Sequence, residues 1–280
     1  MRVIKDISQM QKIAEDLRQQ KKTIGFVPTM GFLHKGHLSL INQSKKIADV
    51  TVVSIYVNPT QFSPNEDFDK YPRDFKRDKL LCEMAGVDIV FYPDHERMYL
   101  SNHFTYVITD QLASKLCGKS RPTHFRGVTT IVAKLFNIVK PHYAFFGQKD
   151  AQQCFIIQRM VNDLNFDVQI IIAPTKREPD GLAMSSRNKY LSSQHRKDAA
   201  IIYSSLKKAG ELIQSGIKQS KLIMDSIHNN LQSVPDLKID YVSIVNMNNL
   251  EPVENITEQT LIAVAAYFGS TRLIDNIIIN

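Results

Sequence analysis

Cysteine is scarce in this chain. Its 280 residues include three, Cys82, Cys117 and Cys154, odd in number, widely spaced and without a CxxC pair. That pattern gives neither a disulfide framework nor zinc-ligand spacing, and it suits reduced thiols in a cytoplasmic protein. Long apolar runs are lacking as well, since no stretch approaches the roughly 18 residues read as a membrane-spanning helix. Near the start, Ile7, Met10, Ile13, Ala14 and Leu17 fall at helical spacing among charges. A signal peptide needs an uninterrupted apolar run, so neither export nor a membrane partner is expected. The chain also has no internal repeat and no low-complexity tract.

With 43% hydrophobic residues, the chain can bury a substantial interior, and its length suits two domains better than one. Lys and Arg number 35 against 28 Asp and Glu, a formal charge of +7, which suits an anionic ligand and could equally suit nucleic acid. The cations are dispersed. Pairs such as Lys21-Lys22, Lys45-Lys46 and Lys207-Lys208 sit on expected helix surfaces and ends, as solvating faces do.

The apolar pattern alternates between strand and helix. Strands are expected at 23–27, 50–57, 87–92, 143–146 and 168–173, with helices at 38–48, 74–85, 128–139 and 151–161. This is the sequence form of an α/β fold, a doubly wound Rossmann-like parallel sheet. Pro174, Pro179 and Gly181 then punctuate the chain, which places a domain boundary between 175 and 176. Beyond it, helices at 194–213 and 221–231 and strands at 238–245, 261–268 and 273–279 predict a smaller α+β domain over 176–280.

Two segments carry chemistry. The first, Pro28-Thr29-Met30-Gly31-Phe32-Leu33-His34-Lys35-Gly36-His37, joins an expected strand to the helix after it. That junction lies at the carboxyl edge of a doubly wound sheet, where a helix N-terminus offers amides to phosphate. Gly31 and Gly36 allow close backbone approach, and two imidazoles three residues apart can donate to charge developing on a leaving pyrophosphate. The second segment runs from Arg177 through Met184-Ser185-Ser186-Arg187-Asn188. Two hydroxyls and a guanidinium there suit phosphate oxygens, although alone the segment reads better as a plain capping turn.

Together the two resemble the paired signatures of the nucleotidylyl transferase superfamily. Within it, Val57-Asn58-Pro59-Thr60-Gln61-Phe62, Tyr71-Pro72-Arg73, Arg121-Pro122-Thr123-His124-Phe125-Arg126-Gly127-Val128 and Phe146-Gly147-Gln148-Lys149-Asp150 follow in the order seen in the pantothenate synthetase (pantoate-beta-alanine ligase) family. The likeness runs from about residue 26 to residue 191. It implies an ATP-dependent ligase that joins pantoate to beta-alanine. ATP would be held by Met30, Gly31, His34, Gly36 and His37, by Gly147, Gln148, Lys149 and Asp150, and by Lys176, Met184, Ser185, Ser186 and Arg187. The catalytic set would be His34, His37, Lys149, Ser185 and Arg187. Pantoate or beta-alanine would meet Gln61, Gln153 and Asn58, with an apolar wall from Pro28, Met30 and Phe62. For Arg121 and His124 a loop brace is as good a reading as a ligand contact. The resemblance also implies magnesium with the nucleotide, a homodimer, and a second domain closing as a lid.

In two places the chain departs from the family pattern. Where many members carry an acidic pair, this chain reads Lys76-Arg77-Asp78, which leaves Asp78 as a weakened candidate for magnesium. Lys176 stands where an apolar residue is common. The implied chemistry is attack of a pantoate oxygen on the α-phosphorus of ATP, then attack of the beta-alanine amine on the acyl adenylate. The competing readings are another nucleotidylyl transferase, against which the Gln61 and Gln153 context stands, and an RNA-binding protein, suggested by a pI near 9.2.

Overall fold

The computed structural model describes residues 1–64 and 66–279. It divides into two compact units, one of Met1–Ser114, Gly118–Gly147 and Ile156–Pro174, the other of Lys115–Cys117, Gln148–Phe155 and the chain from Thr175 onward.

Along residues 1–174 the elements run β1 (Arg2–Ile4), α1 (Ile7–Gln19), β2 (Ile24–Thr29), α2 (Lys35–Ile47), β3 (Val50–Ile55), α3 (Phe75–Met84), β4 (Ile89–Phe91), α4 (His95–Met98), α5 (Cys117–Ser120), α6 (His124–Val139), β5 (Tyr143–Gly147), α7 (Ala151–Asp163) and β6 (Gln169–Ala173). The strands form one parallel sheet in the order β1-β4-β3-β2-β5-β6. The chain winds outward from β2 to β4, then returns to place β5 on the other side of β2. That reversal makes the carboxyl ends of β2 and β5 the switch point, where open α/β sheets hold ligands.

Both faces of the sheet are covered, so its strands read as continuous apolar runs. Along β2, Phe26 meets Phe136 of α6 edge-on, while Val27 joins Ile41 of α2 and Cys82 of α3 in a buried cluster on the opposite face. Cys82, Cys117 and Cys154 are buried thiols, and no disulfide forms among the described residues. Among those residues no helix is long and apolar enough to cross a membrane.

The second unit continues with α8 (Ser193–Asp198), α9 (Ile201–Gln214), α10 (Ser220–Leu231), β7 (Leu237–Asn246), β8 (Thr260–Phe268) and β9 (Thr271–Ile279). Its strands form an antiparallel sheet in the order β7-β8-β9. Leu206 of α9 and Ile223 and Ile227 of α10 pack on Ile262 and Val264 of β8.

The structure differs from the sequence expectations at several ends. β1 is too short to show a period. α2 begins three residues early, at Lys35, because its cap is polar and the apolar pattern starts only at Leu38; α6 likewise begins at His124, before its apolar period. The single helix expected at 194–213 is two, because the amides of Ala200 and Ile202 bond three residues back, to Lys197 and Ala199, and tighten the chain between α8 and α9.

Gly25 sets how closely α2 lies against β2. A Cβ there would sit 2.2 Å from Ser44 Oγ and 2.9 Å from Ala48 Cβ, and Ser44 Oγ is tied to Thr51 Oγ1 at 2.8 Å. Gly25→Ala is therefore expected to lower the unfolding free energy by about 1–3 kcal/mol, the scale of core overpacking, read by far-ultraviolet circular dichroism in urea.

Candidate active site

At the end of β2 the chain turns through two left-handed residues, Gly31 at φ 80° and Phe32 at φ 49°. It enters α2 with His34 as the cap, at φ −137° and ψ 175°. His34 Nδ1 accepts the Gly36 amide at 3.1 Å, and His37 Nδ1 accepts the His34 amide at 3.3 Å. The two rings lie 4.1 Å apart. A backbone N–H can only donate, so a neutral ring at either position carries its proton on Nε2. The capping geometry thus leaves the donor of each neutral ring on Nε2, at the positive end of α2.

Asp78, in the first turns of α3, lies beneath this turn. Its Oδ2 accepts the Phe32 amide and its Oδ1 the Leu33 amide, each at 2.7 Å. Burial raises its pKa above the ordinary carboxylate value, while the two amides and Arg77 work against that rise. A cavity of about 290 Å³ is lined by Met30, Gly31 and Asp78 together with Tyr56, Arg73 and Tyr92. Both oxygens of Asp78 accept amides and Arg77 Nη1 lies 3.6 Å from Oδ1, so a cation on this carboxylate would face a guanidinium, and magnesium fits it poorly as a protein-held ion. Among the described residues no group of three or more His, Cys, Asp or Glu could hold a metal.

On the other side of Met30, a polar chain is buried. Gln61 Nε2 donates to Met30 Sδ at 2.9 Å, and Asn58 Nδ2 donates to Gln61 Oε1 at 3.2 Å and to the Gly127 carbonyl at 3.0 Å. Gly127 is required here, because a Cβ would sit 2.6 Å from the Gln61 nitrogen. Arg121 Nη2 reaches the Gln61 carbonyl at 3.2 Å, His124 Nδ1 lies 2.8 Å from it, and Arg121 also pairs with Glu66. Both residues brace the turn after β3, which favours the brace over the ligand contact. At the end of β5, beside β2 in the sheet, a Cβ on Gly147 would meet nothing within 4 Å.

In the second unit, residues 148–150 and 176–187 both fasten to β9. Asn276 Nδ2 donates to the carbonyls of Gln148 and Lys149, each at 2.9 Å. Asp275 pairs with Arg177, which also donates to the Gly181 carbonyl at 3.1 Å and lies over the Tyr203 ring. Burial raises the pKa of Asp275, and Arg177 opposes the rise. The segment folds as a small hairpin in which Met184 N–H bonds to the Lys176 carbonyl and Glu178 N–H to the Leu182 carbonyl. At the turn, Gly181 has φ 92° and lies so close to Tyr203 that a Cβ would sit 2.4 Å from its ring. Ser185 then caps the short turn Ser186–Tyr190, its Oγ accepting the Arg187 amide at 3.3 Å. Lys149 Nζ lies 3.4 Å from Asp150 Oδ1, so the two pair with each other.

The structure therefore brings Met30, Gly31, His34, Gly36, His37, Asn58, Gln61 and Asp78 into one neighbourhood of the first unit. In the second it gathers Gln148, Lys149, Asp150, Met184, Ser185, Ser186 and Arg187 around one strand. Lys176 is exposed, with only its carbonyl in the hairpin, and Gln153 is half-buried on α7. Sequence reasoning missed Asp275 and Asn276. Their signal was two polar residues inside the apolar run of β9.

Comparison with known proteins adds a family. The family model described as pantoate-beta-alanine ligase matches residues 2–278. A pantothenate synthetase from Thermotoga neapolitana is 55% identical over 279 residues, covering 100% of both chains. The crystal structure of pantothenate synthetase from Thermus thermophilus superposes with a TM-score of 0.94 at 40% identity, covering 99% of each chain. A pantoate-beta-alanine ligase from Francisella tularensis, solved with beta-gamma ATP and beta-alanine, gives a TM-score of 0.81 at 36% identity, covering 99% of this chain and 97% of that one.

Replacing Arg177 by Met leaves Asp275 buried without its counter-charge, and a loss of about 3–5 kcal/mol is expected near neutral pH. The loss should shrink toward acid, where Asp275 takes up a proton and needs no partner. Urea unfolding of the two chains at pH 7.5 and pH 4.5 measures both effects.

Proposed function

The chain belongs to the pantoate-beta-alanine ligase family, and we propose that it condenses (R)-pantoate with beta-alanine through a pantoyl adenylate, releasing AMP and pyrophosphate. The observation that carries this reading is the full-length family match, together with two imidazoles whose Nε2 donors are fixed at a helix N-terminus on the switch point of the sheet.

The residues account for the chemistry without a covalent intermediate. A carboxylate resists attack by an amine, so pantoate must first be activated. The Nε2 donors of His34 and His37, with the α2 dipole, stabilise charge on the phosphates as pyrophosphate departs. Gln61, its amide oriented by Asn58 and Met30, suits the hydroxyls and carboxylate of pantoate, while Met30 and Pro28 face its methyl groups. In the second unit, Lys149, Ser185, Ser186 and Arg187 are the proposed nucleotide contacts, and Gln153 a pantoate contact. Magnesium enters as part of the nucleotide substrate, not through a protein site. Most of the rate then comes from positioning and charge stabilisation.

The same reading includes a cytoplasmic location and a homodimer. Leu100, Phe104, Tyr106 and Ile108 are 64%, 86%, 41% and 66% exposed, in a stretch with no charged residue between Met98 and Asp110. The stretch is held at its back by Thr129 and Thr130 bonding to Val107. An apolar strip of this kind, flanked by Arg126 whose guanidinium lies over the Tyr106 ring, suits burial against its own copy.

Purified chain incubated with ATP, magnesium and (R)-pantoate, with and without beta-alanine, tests the reaction by chromatography. AMP and pantothenate should appear together only when both acids are present, and ADP in place of AMP would refute the adenylate route. His37→Ala should fold normally yet form adenylate roughly 100 to 1,000 times more slowly, the scale for losing one such donor. Light scattering should give twice the 31.9 kDa chain mass for the wild type and the single mass for Phe104→Asp.

A further inference from the structure

The turn that presents the two imidazoles is an unfavourable one for its sequence. Phe32 adopts φ 49° directly after Gly31 at φ 80°, a left-handed conformation that side-chain-bearing residues seldom take. Four consecutive amides then point away from any strand or helix partner, and each meets a side chain. Gly31 donates to Thr29 Oγ1 at 3.1 Å, Phe32 and Leu33 to the two oxygens of Asp78 at 2.7 Å each, and His34 to His37 Nδ1 at 3.3 Å. Arg77 closes the other side, its Nη2 donating to the Leu33 carbonyl at 2.8 Å and its guanidinium lying 4.9 Å from the centre of the Phe32 ring. Asp78 is 1% exposed.

Resting on the ligase reading above, we infer that Asp78 and Arg77 are positioning residues, a clasp that holds the 31–34 turn and through it sets the Nε2 donors of His34 and His37. Asp78 is not a magnesium ligand. Only a carboxylate supplies two acceptors to two converging amides; an asparagine of the same shape would turn a donor toward one of them. Arg77 Nη1 lies 3.6 Å from Asp78 Oδ1, so a second cation on that oxygen would face the guanidinium. Gly31 belongs to the same device, since a Cβ there would sit 2.9 Å from Asp78 Oδ2. A displacement of about 1 Å at a reacting group can lower a rate about a hundredfold, and the clasp acts on that coordinate.

The test is single-turnover adenylate formation at saturating ATP and pantoate, with magnesium titrated, in the full chain and in Asp78→Asn, Arg77→Met, His37→Ala and the double variant His37→Ala/Asp78→Asn. Asp78→Asn is expected to be roughly 10 to 100 times slower, with the half-saturating magnesium concentration changed by less than about twofold. The double variant should be slower than His37→Ala by a smaller factor than Asp78→Asn costs in the full chain, because Asp78 acts through both imidazoles and one of them is already gone. A purely structural defect would not produce that coupling. Should Asp78→Asn fail to fold by circular dichroism, the half-exposed Arg77 carries the test, and Arg77→Met must itself slow the step by roughly 3-fold or more without a shift in magnesium dependence. The inference is overturned by a rate that high magnesium restores, by losses that multiply in the double variant, or by an unchanged rate. A wild-type chain that forms no AMP from pantoate would sink the ligase reading, whereas a wild-type rate retained in both Asp78→Asn and Arg77→Met would sink the clasp alone.

Discussion

Everything proposed for the first unit depends on where the chain goes in the few residues after β2. The sheet delivers Thr29 to its carboxyl edge, and α2 must start with its amide end facing outward. Between them the backbone has to reverse without a strand partner, and buried amides left unpaired are costly. The solution is side chains: Thr29, Asp78 and His37 take the four amides in turn. Because one of those acceptors is itself an imidazole of the site, the group that satisfies the backbone also has its tautomer fixed. Structure and chemistry here share the same hydrogen bonds.

The second unit solves a similar problem with different means. A short turn and a hairpin, neither with a core of its own, are anchored to one strand by a carboxylate and an amide placed side by side. Asp275 and Asn276 are both 3% exposed and bond in opposite senses. Asp275 accepts from Arg177, while Asn276 donates to the carbonyls of Gln148 and Lys149. Buried polar groups of this kind are high-stakes, since a half-satisfied network is worse than an apolar one. Here each polar group has a stated partner, and the two loops gain a fixed register against β9.

The fold was legible because strand and helix periods were clean. β3, β5 and β6 fall within two residues of expectation; β3 and β5 are interior parallel strands that are covered on both faces, and the edge strand β6 keeps the apolar run of Ile170, Ile171 and Ile172. Legibility failed where polarity replaced periodicity. The start of α2 lay hidden in Lys35-Gly36-His37, and the break between α8 and α9 in the pair Ala199-Ala200, which suits a helix and a tight turn alike.

By itself the sequence determined the alternation of the main strands and helices, the parallel sheet and the location of the His34 and His37 pair, because apolar period and strand-to-helix junctions are local properties of the chain. It also carried the family likeness, since that is a matter of residues in order. Only the tertiary structure decided what Asp78, Arg77, Gly127, Asp275 and Asn276 do. Asp78 is separated from the amides it accepts by 46 and 45 residues, and Asn276 from Gln148 by 128. Nothing in the spacing of residues so far apart records that they meet; the closing of the sheet and the packing of helices on it bring them within hydrogen-bond range.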